Sequence, residues 1–295
     1  IGHGAFFGLG MYTTAILMES HNWPFVATLP VVAVLAFGVG VLVGFPALRV
    51  KGLYLALVTL GLAVLFPQLT NRFVPHDLCQ TCGTSLVGEL ARSKLQPPSW
   101  VPNFIGANDQ WAYYASLTIA AAGLVALFLI VRSRFGRALI AVRDHEAAAE
   151  TVGINIARVK VIAFATSALY AGLAGSCFVL VNRLATATSV SIFQLSIEFL
   201  VAVVIGGTAT VIGPLVGGAL VVFVQHWIST TLPDHVSSNG VVGRVLTNRA
   251  SSPAIFGILL ILFVFVLPDG LVGGARRLWR SARQRWRARP SPATP

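Results

Sequence analysis

The chain has 295 residues, 56% of them hydrophobic and only 11% charged, and its mean hydropathy is +0.79. Soluble domains carry about 25% charged residues, so this composition all but excludes a water-soluble enzyme, and the apolar content excludes a disordered chain. The charges are unbalanced, 21 Lys and Arg against 10 Asp and Glu, a formal net charge of +11.

The chain opens on Ile1, already inside an apolar run. It has no basic n-region and no small-residue cleavage site, so the start does not read as a signal peptide, and further spans are expected upstream. A helix that crosses a bilayer needs about 20 apolar residues. Eight runs qualify or come close: residues 4–18, 25–45, 53–69, 111–131, 159–181, 195–209, 211–228 and 254–267. Four approach full length, and the others are short and carry Gly or Pro. Short, interrupted spans are what transporters use where helices break around a pathway. Glycines at close helical spacing, such as Gly4 and Gly8 or Gly213 and Gly217, read first as sites of close helix packing. The segment 195–228 reads either as two spans or as a re-entrant pair. The expected fold is therefore all-α: a polytopic transmembrane helical bundle of about eight spans, some short or broken.

The basic residues sort by loop. Arg49 and Lys51 follow the second run, and Arg132, Arg134, Arg137, Arg143, Arg158 and Lys160 fill the loop after the fourth. Arg276, Arg277, Arg280, Arg283, Arg285, Arg287 and Arg289 make the tail. Alternating spans put all three regions on one side, and the positive-inside rule makes that side the cytoplasm, the C-terminus included. The expected layout is a transmembrane body over 1–275, with an inner loop at 132–160 and an outer loop at 70–110. A basic tail follows over 276–295. Anionic lipid headgroups account for the tail, and no nucleic-acid partner is expected, because no base-reading fold accompanies it.

Three cysteines are too few for a disulfide scaffold. Cys177 sits in an apolar run and reads as packing. Cys79 and Cys82 read as a local disulfide or two free thiols, since one pair cannot make a four-cysteine zinc site. Phosphate-binding, zincin and nucleophile-elbow motifs are all missing, so no catalytic residue, metal or cofactor is expected.

The inner loop is the most informative segment. Asp144 is placed to N-cap a helix over 145–152, and Gly153 to close it in the left-handed conformation. Glu146 and Glu150, four apart, share a face, and Ala147 and Ala148 keep the helix thin. Such a helix suits insertion into a groove on another protein, and the plain alternative is a solvated linker.

Glu146-Ala147-Ala148 followed by Gly153 resembles the EAA loop of ABC importer permeases. The stretches GHGAFFGLGMYTTAI from Gly2 and FPALRVKGLYLALVTLGLAVLFPQL from Phe45 are similar to branched-chain amino-acid ABC permeases. So are FGRALIAVRDHEAAAETVGINIARVKVIAFATSALYAGLAG from Phe135 and VVIGGTATVIGPLVGGAL from Val203. The match is closer to the M-type subunit of the leucine/isoleucine/valine system, and covers about two-thirds of the chain in order. Where many relatives carry a Gly-rich stretch after the third span, this chain has Cys79–Ser85 and a polar run over 89–94. The resemblance implies an ATP-driven importer subunit in the bacterial cytoplasmic membrane. It implies a second permease subunit, two cytoplasmic ATP-binding subunits and an extracytoplasmic solute-binding protein. It also implies that residues 144–153 are the ATPase-coupling helix. Urea or short amides are an alternative cargo, and an ion-coupled secondary carrier or a membrane-embedded enzyme are the rival classes.

Five residues are candidates for the pathway or its gates. Glu198 is the one acid inside an apolar run, and an ionisable group there faces a cavity, a partner or the interface. It stands about three residues into its run. His3 heads the first run and reads as either a structural or a gating histidine. Gly206, Gly207 and Thr208 read as either a break that lines the route or a tight turn.

Overall fold

A computed structural model describes residues 2–21, 23–47, 53–73, 108–182, 192–207 and 211–235, with Gly257 and Gly273 as isolated positions. Among these residues there are helices and no strands. In chain order they are α1 (His3–Ser20), α2 (Phe25–Ala47), α3 (Leu53–Phe73), α4 (Asn108–Arg132) and α5 (Arg134–Asp144). Next come α6 (Glu146–Thr151), α7 (Ile156–Asn182), α8 (Ile192–Gly206) and α9 (Gly213–His235). The all-α expectation holds. Three helices are long and apolar enough to cross a membrane, over Phe25–Pro46, Gln110–Arg132 and Ile156–Asn182. Three shorter apolar helices cover Leu57–Thr70, Ile192–Gly206 and Gly213–Trp227. The eighth expected run, 254–267, lies outside the described residues apart from Gly257, as do Cys79, Cys82, Thr208 and the tail.

The chain divides into two units, residues 1–196 and 197–295. In the first, α7 is the central helix, with α2 and α1 packed along it and α4, α5 and α6 against it. Lipid tails are as apolar as leucine, so helices associate there through close packing and hydrogen bonds instead of water exclusion. The contact between α1 and α7 fits that rule. A Cβ at Gly10 would fall on the Gly172 carbonyl, and one at Gly175 on the Phe7 carbonyl, so the two main chains touch. Between them the buried Thr14 Oγ1 donates to Ser176 Oγ at 2.8 Å, and Ser176 Oγ donates to the Gly172 carbonyl at 3.3 Å. No described buried polar side-chain atom lacks a hydrogen-bond partner.

Packing also fixes helix directions. Met18 at the end of α1, Phe25 at the start of α2, Ala112 and Ala115 near the start of α4 and Leu180 near the end of α7 form one cluster. At the opposite end of α7, Val159 packs with Val142 of α5 and Ala149 of α6. Midway, Tyr170 of α7 donates to the Gly123 carbonyl of α4 at 3.0 Å. Thus α1 and α7 run one way and α2 and α4 the other, the alternation expected of successive spans.

The second unit holds the rest of α8 together with α9. Val201, Ala202, Ile205 and Val221 form its cluster. A Cβ at Gly206 would fall on the Gly213 carbonyl, and one at Gly217 on the Ala202 carbonyl. Gly207 has φ +100°, and its N–H donates to the Val203 carbonyl at 2.9 Å. This is a helix end closed by a left-handed glycine, with the next helix folded against it. At 1.5 Å per residue, the 15 residues of α8 reach about 22 Å, short of a hydrocarbon core of about 30 Å.

Candidate functional site: a short helix in the basic loop

The loop between α4 and α7 is folded, with its own small core. Its first device is Ser133, where α4 ends. Ser133 Oγ donates to the Ile130 carbonyl at 2.6 Å and accepts from the Gly136 N–H at 3.3 Å, which makes it the N-cap of α5. A Cβ at Gly136 would fall on the Val131 carbonyl, so only glycine permits so sharp a bend there. α5 is amphipathic. Phe135, Ala138, Leu139 and Val142 turn inward to Ala149, Ile154, Ile156 and Val159.

α6 begins one residue later than expected and is shorter, Glu146–Thr151. Asp144 is not its N-cap. It is the last residue of α5, and its Oδ1 accepts from Arg143 Nε at 2.9 Å. The N-cap is His145, in extended conformation (φ −156°, ψ 101°), with no side-chain capping bond. The reason is that α5 runs on through Arg143 and Asp144, which leaves a single extended residue to reverse the chain.

The C-terminal end matches the expectation. Gly153 has φ +82°, its N–H donates to the Glu150 carbonyl at 2.9 Å, and the Ile154 N–H donates to the Ala149 carbonyl at 3.1 Å. These two bonds are the Schellman closure, and Ile154 packs in the same cluster as Ala149, the apolar contact that often accompanies that motif. Asn155 then starts α7, its Oδ1 accepting from the Arg158 N–H at 3.0 Å.

Ala149 alone in α6 is buried, and Glu146, Ala147, Ala148, Glu150 and Thr151 are all exposed. Lys160 Nζ, one turn into α7, donates to Glu146 Oε1 at 2.5 Å. Glu146 and Glu150 line a groove of about 390 Å³ together with Ile154, Asn155, Ile156, Ala157 and Lys160. The structure thus brings the two glutamates together and leaves Asp144 outside, on the Arg143 pair. Sequence reasoning missed α5 and Lys160. The Ser133 cap and the Phe135, Leu139, Val142 spacing carried the signal for α5. Nothing local carried it for Lys160, 14 residues from its partner.

The pathway candidates fall in separate places. His3 Nε2 hydrogen-bonds with Ser167 Oγ of α7 at 2.5 Å. The next residue's N–H, of Gly4, donates to Ser196 Oγ at 3.1 Å. Ser167 lies eleven residues into α7, about 16 Å from its start, so the head of α1 meets α7 partway along its length. Glu198 is half-buried and is the seventh residue of α8, because that helix starts at Ile192, three residues before the expected run. It therefore stands mid-helix, one turn deeper than the sequence suggests. Gly206 and Gly207 form the tight turn after α8. Cys177 is a half-buried free thiol in α7. Among the described residues no group of His, Cys, Asp and Glu could hold a metal ion.

The family model described as branched-chain amino acid transport system / permease component matches residues 1–267. The high-affinity branched-chain amino acid transport system permease protein LivM of Escherichia coli is 31% identical over 235 residues, which cover 75% of this chain and 55% of that protein. LivM of Salmonella typhimurium is also 31% identical, over 236 residues, with the same shares. The ribose import permease protein RbsC of Haemophilus influenzae is 31% identical over 108 residues, 35% of this chain and 33% of that protein. The chain thus spans about half the length of the LivM relatives it matches. No solved structure matches it. The match over nearly the whole chain, on an all-helical body with membrane-length apolar helices, makes this chain a member of the branched-chain amino acid transport permease family.

Proposed function

We infer that this chain is the membrane-spanning permease subunit of an ATP-driven importer that carries branched-chain or related amino acids across the bacterial cytoplasmic membrane. Its transmembrane body would cover 1–275, with the 132–160 loop and the tail from 276 on the cytoplasmic face and the 70–110 loop outside. A second permease, two ATP-binding subunits and a solute-binding protein would complete the machine, and hydrolysis would belong to the ATP-binding subunits.

One observation carries this reading. α6 is exposed on every side but Ala149, yet it is held by a core of its own and joined directly to α7. A helix that merely linked two spans would not need a packed helix capped at Ser133 ahead of it, a Schellman exit at Gly153 and an ion pair to α7. A helix that delivers a push would. Glu146, Ala147, Ala148 and Glu150 present the docking face, Gly153 fixes its angle, and Asp144 ends the helix that leads into it. Coupling of this kind is worth 1–3 kcal/mol between linked sites in general, about five- to a hundredfold.

His3 in the first unit, and Glu198, Gly206, Gly207 and Thr208 in the second, are each proposed as pathway or gating residues. The His3–Ser167 bond ties the head of α1 to α7 and would open and close with the route.

The test uses the assembled transporter in vesicles. Glu146→Lys and Gly153→Val should each lower ATP-driven uptake by about five- to a hundredfold while the chain still inserts and hydrolysis continues. Full coupled uptake in both variants would sink the assignment.

A further inference from the structure

We propose that Arg132, Arg134 and Arg137 form a binding site for the phosphates of anionic phospholipid headgroups at the corner between α4 and α5. Three observations carry it, and none depends on the coupling role of α6. First, α4 is the least covered of the three membrane-length helices. Tyr114, Leu117, Ala121, Val125, Leu129 and Arg132 make a continuous exposed stripe, with Leu129 at 66% exposure. In a membrane such a stripe faces lipid. Second, depth is fixed by length. Gln110–Arg132 spans 23 residues, about 34 Å, against a hydrocarbon core of about 30 Å. Exposed Tyr113 and Tyr114 stand at one end, where aromatic residues mark the interface, so Arg132 and the start of α5 lie at the opposite headgroup layer.

Third, these arginines lack acidic partners. Among the described residues, the loop's ion pairs are Arg143 with Asp144 and Lys160 with Glu146. Arg132, Arg134 and Arg137 are exposed and in neither. Arg137 Nη1 donates to the Arg132 carbonyl at 3.4 Å, which folds its guanidinium back toward the end of α4. Ile140, one turn further along α5, is exposed beside them. Guanidinium groups with an exposed aliphatic neighbour are the composition of a helix that rests in the interface. Guanidinium takes phosphate oxygens in a two-pronged contact, and the headgroup is the phosphate present at this depth.

The test places the full chain in phosphatidylcholine vesicles that contain either photoactivatable phosphatidylglycerol or photoactivatable phosphatidylcholine, and maps the crosslinked residues. Phosphatidylglycerol should label residues 132–140 about tenfold more than phosphatidylcholine does. Exposed residues of α2 between 34 and 45 should show no such preference. Replacing all three arginines with glutamine should abolish the preference at 132–140, and replacing them with lysine should keep only part of it, because an ammonium retains the charge but not the two-pronged contact. Equal labelling by the two lipids in the unaltered chain overturns the proposal, whether or not the variants fold. So does a preference that survives the glutamine replacements. Loss of lipid labelling in favour of crosslinks to another polypeptide also overturns it, since a protein would then cover this corner.

Discussion

Lys160 reaches back from the first turns of α7 to Glu146 at the start of α6, with Nζ 2.5 Å from Oε1. The pair closes a ring of chain through Ala149, Gly153 and Asn155, so the short helix and the long one turn together. Both partners are partly exposed, 37% for Lys160 and 50% for Glu146, so the bond itself adds about 0.2–1 kcal/mol at most. Its value lies in direction. Lys160→Glu with Glu146→Lys restores the pair while reversing the charge on the outer face. If Glu146 serves only the tether, the double variant recovers uptake. If it also meets the ATPase, as proposed here, the double variant stays uncoupled. Uptake and ATP hydrolysis measured side by side separate the two.

Gly153→Ala should loosen the end of α6. No atom lies within 4 Å of a Cβ built there, so the cost is conformational: φ +82° disfavours any L side chain by about 1–2 kcal/mol. Gly153→Asn should cost less, because asparagine visits this region more readily. Hydrogen exchange at the amides of residues 153 and 154 reads the change, with faster exchange expected in the order Ala over Asn over the unaltered chain.

Two glycines in neighbouring helices should behave oppositely. Gly10→Ala forces α1 away from the Gly172 carbonyl and should cost about 3 kcal/mol, near the top of the overpacking range. Gly38→Ala meets nothing within 4 Å and removes a poor helix former, so it should be neutral or stabilising by up to about 1 kcal/mol. Thermal unfolding midpoints in detergent compare them directly.

Thr14→Val should cost roughly 0.5–1.5 kcal/mol, the range for hydroxyl bonds between membrane helices. The loss is limited because Ser176 Oγ keeps its bond to the Gly172 carbonyl. A combined Thr14→Val and Ser176→Ala variant should then lose the Gly172 bond as well, but less than the sum of the two single losses, because both single variants remove the Thr14–Ser176 bond. Additive losses in a double-mutant cycle would contradict that coupling.

Hydropathy made most of this fold legible, because length and apolarity alone identify a span and need no partner. Seven of the nine described helices fall on expected apolar runs, three of them long and apolar enough to cross a membrane, and the largest shift is at the end of α9, which runs on to His235. What failed was local or long-range. Asp144 carries a capping side chain in front of a helix-forming run, but α5 extends through it, and the amphipathic rows of Phe135, Leu139 and Val142 decide that. His3 with Ser167, Thr14 with Ser176, and Glu146 with Lys160 join positions far apart in sequence, and no periodicity encodes such pairs. Gly153 was legible because a left-handed residue at a helix end is a backbone requirement.

The main-chain contact between α1 and α7 has a mechanical consequence. Most helix pairs meet through a layer of side chains that can change rotamer and absorb a small displacement. At Gly10 and Gly172, and again at Gly175 and Phe7, that layer is absent. α7 runs 27 residues, about 40 Å, from the loop to the far end of the bundle. A torque applied at Ile156 therefore arrives at α1 with little slack, and the two helices act as one stiff beam.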